Sequence, residues 1–492
     1  MEFFTYPDVI SLIPSELSDF ETFIAVVFMT PKIEGKVLVY GRRRYNRFLY
    51  ETSKRTFSGD ILFCTDWAKD WSGELTNIPH VDFMPDFYSR YNLSGVSSHS
   101  ILSEEELTQI VTRCRLLRAL PWVQATSMVQ CMYLTLKDLV VDYEPDYFLT
   151  LSVDQYIGDV FCRVCEHLNI TSVLFMDGSI KNTMLCFKYG EYNSVRKPTD
   201  GEIDLKLDEL LDNTYHLTYG QKSKEYSFNE HFRHFFVFWA KYLVFKVIAI
   251  LSRDTLNYRY LVHFLRIEGD GQSDFFNWNI NVFFDSNWED IVRSSQKPVL
   301  YIPLSFTPEC STDYWLKDLR YVDYENFILN LCNTLSPDYL LLLKDHWAMQ
   351  GKRQRSFYKK LQSISQVVLV PPTVNGRAIL ELVDRVLVGS GTAGVEAALR
   401  GKRVVTLSPP YYYLEGFYLS LNTADDVNDI YDRLEQFSPP SSTVENRRLI
   451  MKRFLESTLL GSVRVDSKIN TDENYETVSK SLRQYLSQEH TH

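Results

Sequence analysis

The residue types that could do chemistry gather in three short clusters in the second half of the chain and one in the first. The densest reads Gly389-Ser390-Gly391-Thr392-Ala393-Gly394-Val395-Glu396. Its three glycines let the backbone bend sharply and lie against a ligand with no Cβ in the way. Ser390 and Thr392 add hydroxyls, and the helix predicted over 395–400 would aim unpaired N–H groups and a positive dipole end at the turn. Phosphate is the natural occupant, with Glu396 placed to take a pair of ribose hydroxyls. A glycine-rich turn that serves only packing is the competing reading. No Gly-Lys-Ser/Thr follows the glycines, so this is not a P-loop, and it does not sit on the first βα unit as a dinucleotide fingerprint would.

The second cluster is Pro308-Glu309-Cys310-Ser311-Thr312 and the third Lys344-Asp345-His346-Trp347. Carboxylate, lysine, histidine, hydroxyls and helix-end amides together can hold a nucleotide and stabilise charge on a leaving phosphate. The fourth cluster, Met176-Asp177-Gly178-Ser179, puts an acid just past an apolar run. Open α/β sheets place ligand chemistry at such strand ends, which makes Asp177 the first candidate catalytic residue. An Asp that merely caps the next turn is the alternative.

The elements needed to position these groups are legible as period changes. Val386–Val388 reads as a buried strand, 395–400 as a helix stopped by Gly401, and Val404–Leu407 as the next strand. Strand, tight turn, helix and strand is the repeating unit of a doubly wound α/β domain. The same alternation predicts strands at 298–302, 339–344 and 367–370, with a basic helix over 351–364. In the first half, strands are predicted at 36–40, 60–63, 145–150 and 170–175. Arg42, Arg43, Arg44 and Arg47 follow the first of these, either to touch an anionic substrate or to cover a solvated helix face. The polar turn 189–194 is expected to line the same crevice as Asp177.

At 492 residues the chain is long for one core. Two Rossmann-like domains are expected, 1–290 and 291–460, with 461–492 as a tail carrying a helix over 475–488. A composition of 45% hydrophobic and 23% charged residues is that of a soluble globular protein. The net charge of −11 argues against a broad nucleic-acid footprint. The 8 cysteines include one lone Cys162-x-x-Cys165, which does not make a zinc site, and no histidine spacing suits a metal. Cysteines set in apolar runs fit a reducing compartment, and the acidic start lacks the basic region of a signal peptide. A cytoplasmic protein is therefore expected, with one qualification. The run 235–251 is nearly all apolar yet holds Lys241 and Lys246. Two lysines argue against a plain transmembrane span. A buried helix is the first expectation, and an interfacial helix at the inner face of a membrane the second.

Taken as a set, the second-half motifs resemble the capsule and surface polysaccharide biosynthesis proteins, glycosyltransferases of the two-domain GT-B architecture. The resemblance rests on Pro303-Leu304-Ser305-Phe306-Thr307-Pro308-Glu309-Cys310-Ser311, on Lys344-Asp345-His346-Trp347, and on Gly391-Thr392-Ala393-Gly394-Val395-Glu396-Ala397 through Gly401-Lys402-Arg403-Val404. A fainter likeness covers Asp177-Gly178-Ser179, Thr183 and Gly190-Glu191-Tyr192-Asn193. Ser305 stands where the family pattern has histidine, Asp345 where it has glutamate, and Trp347 where it has proline.

The resemblance implies two Rossmann-like domains facing a central cleft. It also implies transfer of a sugar from a nucleotide-activated donor to a surface glycan or glycolipid. Relatives include enzymes that use CMP-activated donors. His346 would then contact the donor phosphate, and Lys344 would neutralise the leaving group. Ser390, Gly391, Thr392, Ala393 and Gly394 would hold phosphate. Pro308, Glu309, Ser311 and Glu396 would shape and orient the donor site. Asp177, from the other domain, would be the general base. Neither a cofactor nor a metal is implied beyond the nucleotide-sugar co-substrate. A nucleotide-sugar epimerase, a polyol-phosphate transferase and a noncatalytic glycan-binding subunit are the competing readings.

Overall fold

The computed structural model describes residues 31–67, 77–93, 102–212, 226–252, 256–265, 270–464 and 469–489. The apolar segment at 23–29 and His99 lie outside the described residues.

The first half builds strands β1 (Val37–Tyr40), β2 (Ile61–Thr65), β3 (His80–Asp82), β4 (Tyr147–Leu151), β5 (Thr171–Asp177) and β6 (Thr183–Cys186). The second half builds β7 (Val299–Pro303), β8 (Leu340–Lys344), β9 (Val367–Val370), β10 (Arg385–Val388), β11 (Arg403–Thr406) and β12 (Leu419–Ser420), and β13 (Thr458–Leu460) follows. They form two sheets, in the orders β13-β6-β5-β4-β1-β2-β3 and β12-β11-β10-β7-β8-β9. All pairs are parallel except β5 with β6 and β6 with β13.

Both sheets are buried on two faces, which is why their strands read as unbroken apolar runs. Along β1, Leu38 and Tyr40 enter one core while Val37 and Val39 enter the other. Along β8, Leu340 and Leu342 oppose Leu341 and Leu343 in the same way. Each sheet is therefore a doubly wound Rossmann-like layer, and the two face one another across a cleft. This is the GT-B arrangement.

Strand order also says where a ligand should go. In the first sheet the connections run from β1 towards β3 on one side and through β4 and β5 on the other. In the second they diverge from β7 towards β9 and towards β12. Crevices open at the C-terminal ends of strands where the order reverses, here between β1 and β4 and between β7 and β10.

Two expectations about organisation are corrected. Residues 461–492 are not a separate tail, and 458–460 belong to the first sheet and not to the second domain. Strand β13 hydrogen-bonds to β6 at the edge of the first sheet, with Leu459 opposite Met184. The helix Asp472–Glu489 then buries Tyr475, Val478, Leu482 and Leu486 in the core that holds Val37 and Phe175. The unpaired edge of β6 and one apolar face of the first sheet need a cover, and the returning chain supplies both. The helix Phe228–Ser252 is also not a core helix. Along its outer side Leu243, Val244, Val247, Ile250 and Leu251 are exposed.

Candidate functional site

The loops after β7, β8 and β10 lie side by side because those strands are neighbours in the sheet. Strands β8 and β10 flank β7, so their ends stand roughly 9.5 Å apart at about 4.8 Å per strand. The three second-half clusters therefore converge as expected, through contacts that can be followed residue by residue.

The centre of this assembly is Arg353, which is 1% exposed. Its Nε donates to Asp345 Oδ2 at 2.9 Å and its Nη1 to Thr307 Oγ1 at 2.7 Å, while Nη2 donates to the Ser305 carbonyl. Tyr358 donates its hydroxyl to the same Asp345 oxygen at 2.6 Å. The other carboxylate oxygen accepts the backbone N–H of His346 at 2.7 Å. Asp345 and Arg353 thus lock the loop after β8 onto the loop after β7. The expected basic helix over 351–364 is shorter, Arg355–Gln362, and Arg353 precedes it. In a run of basic residues a solvated face is the natural reading, and only packing against Tyr324 and Phe357 marks this one as interior.

His346 is held at its Nδ1, which accepts the Ala348 N–H at 3.3 Å, so Nε2 carries the proton of the neutral ring. The ring lies edge-on to Phe306 at 5.6 Å between centroids. Burial, with the nearby Lys344, Arg353 and Lys352 cations, pulls its pKa down to about 4 against the opposing pull of Asp345. The imidazole is therefore neutral, with its Nε2–H as a donor. Burial also lowers Lys344, to about 8. Its Nζ lies 3.3 Å from the Asp345 carbonyl. Trp347, in place of the family's proline, stays at the surface and leaves His346 at the strand end.

The glycine-rich loop is braced from behind. Tyr412, fully buried, donates its hydroxyl to the Gly391 carbonyl at 2.7 Å. A Cβ on Gly394 would stand 2.6 Å from that hydroxyl, whereas one on Gly391 would meet nothing. Gly394 is thus required by packing, and Gly391 faces open space where a ligand can approach. Ser390 is buried, Thr392 and Ala393 are half-buried, and the helix Ala393–Leu399 starts there. Ser305 Oγ sits 3.4 Å from where a Gly389 Cβ would be, so the serine that replaces the family's histidine touches this loop. Glu396 differs from expectation. Its carboxylate is buried and accepts from Arg377 Nε at 2.6 Å. That ion pair, not a ribose, is the partner its position selects.

Across the cleft a cavity of about 1130 Å³ is lined by both domains. The first contributes Arg42 and Arg44 after β1, Ser152, Asp154 and Gln155 after β4, and Asp177 at the end of β5; the second contributes Phe306, Pro308, Glu309 and Cys310. Of the expected site residues, Asp177, Pro308 and Glu309 therefore share one cavity. Lys344, His346, Ser311, Glu396 and residues 390–394 do not line it. They sit on the same loop assembly, Ser311 donating to Glu309 Oε2 at 2.7 Å. Burial pushes the Glu309 carboxyl up from its ordinary value.

Asp177 is aimed by a tight turn. The Gly178 N–H donates to the Thr183 carbonyl at 3.0 Å, and a Cβ on Gly178 would lie 2.3 Å from that oxygen. The rest of the first-half motif is structural. Gly190, at φ +81, leaves room for Trp315 of the other domain, and Asn193 donates to the Cys186 carbonyl at 3.1 Å. The turn 189–194 therefore faces the domain junction and the helix Val444–Glu456, where Tyr192 bonds Glu456, and not the crevice.

Sequence reasoning gave no role to Arg115, Asp154 or Arg113. Arg42 pairs with Asp154 at 2.8 Å inside the cavity, which supports the substrate-facing reading of the basic cluster over a solvated face. Arg115 donates to the Pro308 carbonyl at 3.2 Å and pairs with the buried Asp313 at 3.2 Å. Arg113 donates to the carbonyls of Asp313 and Leu316 at 3.0 and 2.8 Å. Arg113 and Arg115 fasten the first domain to the loop after β7. Their sequence signal is a short Arg-x-Arg, Arg113-Cys114-Arg115.

Residues 325–432 match the family model of the capsule polysaccharide biosynthesis proteins. The matched residues lie in the second domain. They include β8 to β12, the loop with Lys344 and His346, and the glycine-rich loop. No curated protein matches the sequence. Among solved structures, KpsC of Thermosulfurimonas dismutans, a beta Kdo 2,7 transferase, is similar at 10% identity with a TM-score of 0.36, over 92% of this chain and 99% of that one. UDP-GlcNAc 2-epimerase from Neisseria meningitidis bound to UDP-GlcNAc is similar at 11% identity with a TM-score of 0.27, over 94% of this chain and 100% of that one. The enzyme from Methanocaldococcus jannaschii in complex with UDP-GlcNAc and UDP is similar at 11% identity with a TM-score of 0.26, over 85% and 98%.

Proposed function

We propose that this chain is a glycosyltransferase that moves a sugar from a nucleotide-activated donor to a hydroxyl of a glycan or glycolipid acceptor. One observation carries the reading. Asp177 at the end of β5 and Pro308–Glu309 in the loop after β7 line a single cavity of about 1130 Å³, which on the first-domain side opens at the ends of β1 and β4, where that sheet's order reverses. That space exceeds a common small-ligand pocket of about 300–1,000 Å³ and suits a nucleotide sugar with an acceptor. The capsule-family segment at 325–432 supports the donor side.

In this mechanism the donor lies along the loops after β7, β8 and β10. Glu309 and Ser311 orient it, and Ser390, Thr392 and the amides of 391–394 hold its phosphate. Asp177 accepts the proton of the acceptor hydroxyl as that oxygen bonds to the anomeric carbon. The bond from the anomeric carbon to the phosphate oxygen breaks, and its electron pair leaves with the nucleotide. The Lys344 ammonium and the neutral Nε2–H of His346 meet that charge, so transfer is expected to persist in the presence of a metal chelator.

The test has two parts. A thermal-shift and hydrolysis screen against CMP-, UDP-, GDP-, CDP- and dTDP-activated donors should find one nucleotide that stabilises the wild type. It should not stabilise His346→Ala or Thr392→Val. With that donor, Asp177→Asn should retain binding and lose about 10²–10⁴ in kcat. Transfer at the wild-type rate by Asp177→Asn would remove the base, and epimerisation of free donor without acceptor would assign the site to the epimerase reading.

A further inference from the structure

The helix Phe228–Ser252 has two unlike sides. At about 100° per residue, His231, Phe235, Phe238, Tyr242, Phe245 and Ala249 fall on the side that meets the protein. Phe245 packs there on Tyr260 at 6.1 Å, and His231 bonds Tyr226 at 2.9 Å. The opposite side carries Val237, Val244, Val247 and Leu251, with Phe236 and Leu243 beside them. These are exposed large apolar side chains, Leu251 at 79%. The apolar surface continues sideways onto the segment Phe275–Phe283, where Phe276 is 63% exposed and Phe275 and Trp278 also reach solvent. Ring contacts of Phe228 with Trp278 at 5.6 Å and Phe232 with Phe275 at 6.2 Å join the two into one ridge. A continuous exposed apolar surface of this kind marks an interaction site.

We infer that this ridge docks the protein on the surface of a lipid bilayer with anionic headgroups. Charge selects that occupant. The whole chain carries −11, yet this helix holds Arg233, Lys241 and Lys246 against the single acid Glu230. Lys241 and Lys246 stand on opposite flanks of the outward apolar side. Long basic side chains in that position reach headgroup phosphates while their stems stay on the apolar side. Trp239 at the boundary fits the same interfacial layer. A charged pair halfway along the helix does not suit a span through the hydrocarbon.

The ridge also borders the cavity. The helix Tyr258–Phe264 packs on Phe228–Ser252, and its Tyr258 and Val262 line the cavity beside Asp177. Docking would set the acceptor side of the cleft against the bilayer. The docking itself does not depend on which donor or reaction the cleft serves.

The experiment is co-sedimentation of the full chain with vesicles of phosphatidylcholine and phosphatidylglycerol, against phosphatidylcholine alone. Wild type should pellet with the anionic vesicles. Lys241→Gln/Lys246→Gln should weaken partitioning roughly 30-fold, from about a factor of five per lysine at an anionic surface. Val244→Asp/Val247→Asp, at solvent-facing positions that leave the thermal midpoint unchanged, should also release the protein. Absence from the pellet, equal binding to both vesicle types, or retention after alkaline carbonate would each overturn the proposal. So would self-association lost in the Val244→Asp variant without vesicle binding, which would give the ridge to a second copy.

Discussion

At the scale of single residues, burial sets protonation in the loop after β8. Lys344 loses its proton at about pH 8 because burial disfavours the ammonium. If the charged form meets the leaving phosphate, kcat/KM of the free enzyme falls as pH rises through about 8, roughly tenfold per unit above it. Lys344→Arg, which stays charged, should remove that alkaline limb in a pH–rate profile. His346, at about 4, is neutral throughout this range and adds no limb near neutrality. The Asp345–Arg353 pair matters differently, since both groups are buried. Arg353→Met leaves the carboxylate without its cation and should cost about 3–5 kcal/mol. Tyr358→Phe removes one hydrogen bond to a charged group and should cost about 1.5–3 kcal/mol, both read from denaturant unfolding.

At the scale of elements, strand ends supply the groups and neighbouring elements fix where they point. The β5–β6 turn closes against Thr183 and presents Asp177. The buried Tyr412 holds the glycine-rich loop through Gly391 and leaves the side away from it open. Arg377 draws Glu396 into the interior. A carboxylate on the first turn of a helix after such a loop looks free for a ligand in one dimension. The partner is 19 residues away in sequence and comes from the preceding helix, Gly376–Leu380.

At the scale of the molecule, the chain returns to its starting domain. The helix Val444–Glu456 crosses towards Asp200–Leu211, β13 completes the first sheet, and Asp472–Glu489 seals its core. Leu482 is fully buried there. Leu482→Ala should therefore destabilise the first domain by about 2–5 kcal/mol, measured as a lowered thermal midpoint, where an independent tail would give almost no change. Shared packing of Phe187, Trp315 and Tyr411, with rings 5.0 to 6.3 Å apart, joins the two domains.

The parallel sheets were legible because strands buried on both faces must be continuous apolar runs, and β1, β4, β5 and β7 to β11 all have that signature. The three second-half clusters were legible because glycine, proline and charged residues directly after such runs have few other uses. The strands β3, β12 and β13 were not read, since two or three residues carry no period, and the four-residue β6 was not read either. The sequence by itself marked 235–251 as a nearly apolar run, and its two lysines marked it as unusual. Whether that helix lay inside or outside was decided only by the tertiary structure, because periodicity measures a pattern along one chain while burial depends on what else arrives to cover it. The same reason separates Asp177, whose strand end predicted its place at the cleft, from Arg353 and Glu396, whose partners exist only once distant loops have met.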